Sequence, residues 1–182
     1  MTHRQLSIAL LAAALLGAAC GDDDEGADAT ASVNPPEGVA TFDVASRNHV
    51  AGAVDYPQTP PVGGDHNGAW WNCGAYDQPI IAEAGVHSLE HGAVWITYDP
   101  DLAPGDVDPL RAFGAEPYVL LSPWEDSDLP APIVASAWGA QLELDAADDP
   151  ALEQFLTAYR QAPTSPEPGA PCTGGVDFTN VG

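Results

Sequence analysis

Between Val86 and Gly92 the chain reads Val-His-Ser-Leu-Glu-His-Gly, two imidazoles four residues apart with a carboxylate between them. On a helical turn His87 and His91 share a face, and both rings can meet one metal ion. On an extended strand they would also share a face, but about 13 Å apart, too far for a single ion. Metal binding therefore requires a turn or short helix here, and Gly85 and Gly92 bracket such a turn. Two further histidines, His66 and His49, lie upstream, and the remaining one is His3. The candidate ligands are His87 and His91, then His66 and His49. Glu90 stands behind them, orienting an imidazole by accepting its other N–H. Imidazole suits copper and zinc alike. Met1 is the only methionine, which argues against a methionine-type copper carrier. No nucleotide or organic cofactor is indicated.

His87-Ser88-Leu89-Glu90-His91 also fits the H-x-x-E-H pattern, in which two histidines hold zinc and the glutamate activates water. The long helix of such hydrolases has no room between Gly85 and the strand expected after Gly92. The plain alternative is that the histidines cap and hydrogen-bond loops onto a sheet.

Three cysteines occur, Cys20, Cys73 and Cys172. In an exported domain Cys73 and Cys172 most simply form a disulfide. The alternative makes Cys73 a soft metal ligand beside His66. Trp70 and Trp71 precede Cys73; neighbouring side chains diverge, so one is expected buried and the other partly exposed.

The elements that must position these residues follow from pattern. Residues 41–80 hold eight prolines and glycines between Pro57 and Pro79, which forbids long helices and predicts an ordered, irregular loop region. Ala93 to Tyr98 reads as a buried strand. Asp106 to Phe113 reads as a short helix capped by Asp106 and stopped by Gly114. Tyr118 to Leu121 is a second strand and Ile133 to Leu144 a third. Asp149-Pro150 opens a helix with Leu152, Phe155, Leu156 and Tyr159 on one face. The expected class is α+β: a small mixed sheet with helices on one face, preceded by the Pro/Gly-rich loop region.

The first residues read as an address. His3 and Arg4, an apolar run from Leu6 to Leu16, and small residues before Cys20 make a secretory signal over 1–19. The run is shorter than the ~20 residues of a spanning helix. Leu15-Leu16-Gly17-Ala18-Ala19-Cys20 resembles the bacterial lipobox, so Cys20 is the expected lipid anchor and membrane lipid the expected partner. An ordinary signal peptide cut near Ala19 is the alternative. Residues 20–40 are acidic and small, a flexible tether with a span of roughly 25 Å. Residues 41–182 make one domain. The location expected is the outer face of a bacterial cell membrane, or an outer membrane.

The chain carries 27 acids, four arginines and no lysine, a formal charge of −23 that becomes −24 once Arg4 leaves with the signal. That argues against nucleic acid and anionic lipid headgroups as partners, and permits cation attraction.

Several strings together resemble domain-of-unknown-function family 3105. They are His49 with Asp55 to Asn67, Asn72-Cys73-Gly74-Ala75-Tyr76, Val86 to Tyr98, Tyr118 to Pro123, Ala135 to Gly139 and Pro168 to Cys172. The resemblance covers about 45 to 175 and implies an extracytoplasmic or membrane-attached bacterial protein, with no reaction. The family's recurring polar positions match His49, His66, Cys73, His87, Glu90, His91 and Cys172, which implies one shared site. Three function classes stay open. They are a metal-binding surface lipoprotein, a non-catalytic envelope interaction module with dispersed histidines, and a metal-dependent hydrolase.

Overall fold

The strongest strand signal sits at the centre of the sheet. In the computed structural model, which describes residues 34–125 and 128–179, Val94–Tyr98 (β3) is buried along its whole length. Its β-branched and aromatic side chains suit a strand covered on both faces. Around it a mixed sheet of six strands runs β1-β6-β5-β3-β4-β2. The others are β1 (Ala40–Thr41), β2 (Gly74–Ala75), β4 (Val119–Pro123), β5 (Ile133–Ala137) and β6 (Ala140–Leu144). β3, β4 and β2 are parallel neighbours; β5 runs antiparallel to β3, β6 to β5, and β1 to β6. The class is α+β. The stretch expected to be a signal peptide, Cys20 and residues 20–33 of the expected tether lie outside the described residues. Pro36 is already buried and Val39 packs on the core.

The stretch expected as one strand from Ile133 to Leu144 is a hairpin, turning at Trp138-Gly139, with Ala137 paired to Ala140. Alternation of Leu142 and Leu144 against Gln141 and Glu143 is a period-2 signal that cannot itself locate a reversal.

Among the described residues three helices cover the sheet: α1 (Ala82–Glu90), α2 (Pro104–Gly114) and α3 (Pro150–Tyr159). α2 begins two residues before Asp106, which lies in its first turn rather than at its cap. Pro104 takes the first position, where its missing N–H costs nothing. Asp149 caps α3, its side chain accepting from the Ala151 N–H. Val107, Leu110, Leu152, Phe155 and Leu156 pack with Val94, Ile96, Val119 and Leu121, so α2 and α3 share one sheet face.

The opposite face is where the expectation of helices on one side departs from the structure. Trp95 and Leu120 point there and pack with Ala84 and Leu89 of α1 and with Trp71 of the loop region. α1 is a full helix rather than a turn beginning at Gly85. Gly85 lies inside it because a Cβ there would stand 2.9 Å from the Trp95 ring. Close approach to the sheet explains a helix glycine that otherwise reads as a boundary.

Candidate metal centre

α1 ends in a glycine-terminated cap. The N–H of Gly92 donates to Leu89 O and that of Ala93 to Ser88 O, with Gly92 at φ +93°. This is the paired bonding of a Schellman cap. It fixes the last turn, from which His87, Glu90 and His91 project at spacings i, i+3 and i+4. It is also the helix end where partial negative charge gathers, which favours a cation.

The loop region supplies the other side of the site. His66 and His49 sit in a short parallel bridge, with His66 N–H donating to Asn48 O and Val50 N–H to His66 O. Asp65 secures the crossing by accepting from both the backbone and the side-chain amide of Asn48. Its carboxyl is held below the usual carboxylate range, first by the Asn48 backbone N–H and next by the Ser46 side chain. The Asn67 N–H donates to Glu83 O and that of Trp71 to Ala84 O, seating the loop along α1.

Three histidines share one hydrogen-bonding plan. Nδ1 of His66 lies 2.8 Å from Gly64 O, Nδ1 of His87 2.7 Å from Asn67 O, and Nδ1 of His91 2.6 Å from Pro171 O. A carbonyl only accepts, so each Nδ1 carries the proton and each neutral ring keeps a bare lone pair on Nε2. All three Nε2 atoms turn inward. That of His66 is 3.1 Å from Oε2 of Glu90, and those of His87 and His91 are 3.0 Å apart. Two lone pairs face each other at His87–His91, and a lone pair faces a carboxylate at His66–Glu90. Both contacts would be relieved by a cation bound beside them.

His49 completes the group, stacked on His87 at 4.8 Å with Nε2 3.7 Å from Oε2 of Glu90. One donor atom from each of His49, His66, His87 and Glu90 lies within 4.8 Å of the others, a set that can hold a metal ion. Donors on tetrahedral zinc stand ~3.3 Å apart, so loading draws the set inward. His66, His87 and Glu90 are buried, and His49, with 54% of its side chain exposed, is the freest to move. Burial pushes the His87 pKa below its ordinary 6.5. The neighbouring His91, His66 and His49 act in the same direction, and the bond to Asn67 acts against them.

Of the expected ligands, His49, His66 and His87 lie in this donor set. Glu90, expected behind them, brings an oxygen into the donor set. His91 stands one step back, touching His87 and lying 3.9 Å from Oε2 of Glu167. Two further side chains meet here, one of them with no signal in the sequence. Arg47 approaches the other Glu90 oxygen at 3.7 Å, and the Trp70 ring lies 5.1 Å from that of His91. Trp71 is buried and Trp70 half-buried, the divergence expected of the pair.

Cys73 and Cys172 form a disulfide with Cα atoms 5.4 Å apart. This removes Cys73 from the ligands and ties down Pro171, whose carbonyl holds His91. A cleft of about 650 Å³ is lined by both cysteines, Glu116 and Tyr118. It includes none of the clustered histidines.

A profile described as protein of unknown function, DUF3105, matches residues 49–174. The chain belongs to this family. The match runs from His49 through the disulfide, so every clustered histidine and Glu90 fall inside it. No curated protein and no solved structure is significantly similar to the chain.

Proposed function

We propose that this DUF3105 protein binds a transition metal ion, copper or zinc, on the outer face of a bacterial membrane, anchored by lipid on Cys20. One observation carries the metal reading. Three backbone carbonyls lock three imidazoles into the same tautomer, and two of those rings, His66 and His87, gather with His49 around the buried Glu90 carboxylate. Histidines that only fastened loops would be dispersed and individually bonded; these converge. His66, His87 and Glu90 form the buried half of the centre, His49 its solvent edge, and His91 buttresses His87. A hydrolase would use Glu90 as a base facing an open position, whereas here its oxygen lies among the donors.

The lipid reading rests on the signal pattern and on cysteine parity, Cys73 and Cys172 being paired with each other. Cys20→Ser should release the chain into the medium or periplasm; a variant that stays in the detergent phase as the parent does would refute the anchor. Elemental analysis of chain purified without affinity tag or chelator tests the metal. About one copper or zinc per chain is expected, and a metal-free chain that also refuses added metal would refute it.

A further inference from the structure

The chain spends one of its few cations at the mouth of a cation site. Arg111 and Arg160 sit in close ion pairs with Asp77 and Glu116. Arg47 instead stands beside the histidine cluster, Nη1 3.7 Å from Oε1 of Glu90, with 56% of its side chain in solvent. A positive charge there opposes metal binding, in a chain with no lysine and a formal charge of −23.

The carboxylate of Glu90 is divided. Oε2 faces His66 at 3.1 Å and His49 at 3.7 Å, inside the donor set, while Oε1 faces Arg47. A metal ion taken by Oε2 leaves Oε1 with Arg47, so the guanidinium has no need to depart on loading. Neutral imidazoles, Glu90, a divalent ion and Arg47, with Glu167 beside His91 counted, then leave a local charge of about +1. Two exposed side chains, His49 and Arg47, stand together at Glu90, while the exposed Glu167 lies beside His91. Zinc expands from four to five ligands, and copper(II) takes tetragonal sites that accept more than four.

We propose that the metal-loaded centre binds a small inorganic anion, such as phosphate or carbonate, at this edge, anchored by the ion and by Arg47. The inference rests on the metal reading above. Overall charge repels anions, so the attraction must be local, and a guanidinium supplies the directed donors that an oxyanion accepts.

The test uses the full chain loaded with one equivalent of copper(II), with azide as a chromophoric probe and phosphate as its competitor. Azide should produce a charge-transfer band on the parent, and phosphate should displace it. Arg47→Met should keep the copper stoichiometry and fold while weakening both anions about tenfold, the loss of one charge-assisted contact. Arg47→Lys should recover part of that loss. An Arg47→Met variant that binds azide and phosphate like the parent, whether or not its copper affinity rises, would show that Arg47 only neutralises Glu90 and overturn the proposal. A parent that loads copper yet gives no azide band overturns the anion site alone. A parent that takes up no stoichiometric copper, seen before any anion is added, overturns the metal reading and the anion site with it.

Discussion

At the scale of residues, the tautomer lock orders the ligands. His66 is fully buried and its Nε2 faces the carboxylate, so His66→Ala or His87→Ala should weaken metal binding by at least about a hundredfold. His91→Ala should cost only about tenfold, because His91 acts mainly by touching His87. Titration of each variant with copper and zinc checks the order; equal losses at His87 and His91 would place His91 among the ligands. The His87 shift fixes a pH dependence for the metal-free chain. Its folded pKa is depressed, so below about 6.5 the unfolded chain holds more protons than the folded one. Stability is then fully present above about pH 6.5 and declines as pH falls toward the lower folded value. Thermal melts across that range should show the decline, and His87→Gln should flatten it. The i, i+4 pair was legible in the sequence because helix spacing alone puts two rings on one face. Arg47 and the carbonyls of Gly64, Asn67 and Pro171 were not, since backbone acceptors carry no residue signature.

At the scale of elements, the site depends on where α1 stops and how near it lies to the sheet. A Cβ at Gly92 would stand 2.5 Å from Gln161 Nε2 and 3.1 Å from Gln161 Cα, with φ at +93°. Gly92→Ala should therefore destabilise by about 1–3 kcal/mol and loosen the turn that carries Glu90 and His91. Gly85→Ala is a contest between about 1 kcal/mol of helix propensity gained and overpacking against Trp95, typically 1–3 kcal/mol. The indole is held by its N–H bond to Ser122 Oγ and cannot swing aside cheaply, so a net loss is expected by denaturant melts. Glycine reads as punctuation in a sequence, and the same residue can mark a helix end or a close approach. That ambiguity hid the first turn of α1, whereas β3, α3 and the Pro/Gly-rich front were plain because burial, capping and ring constraint each leave a local mark.

At the scale of the whole molecule, two distant segments converge on the last turn of α1. The loop region brings His49 and His66. Residues 161–172 arrive from the far end: Gln161 Nε2–H donates to His91 O, Glu167 N–H to Glu90 O, and Pro171 O accepts from His91. The disulfide ties these ends across a sequence separation of 99 residues. Closing such a loop is worth on the order of 4–5 kcal/mol in the chain-entropy model. Replacing both cysteines by alanine should lower the melting point markedly and weaken metal binding through the freed Pro171–His91 contact; unchanged metal affinity in a folded double variant would show that the tail only stabilises. The high negative charge will attract any cation weakly, so the decisive measurement must separate one site from that background. It is calorimetric titration of the full chain with copper and with zinc at physiological ionic strength, run in parallel on a His66→Ala/His87→Ala variant. One equivalent bound tightly by the parent and lost from the folded variant, with weak background binding retained in both, is the expected result. Indistinguishable isotherms for the two chains would contradict a metal centre at this cluster.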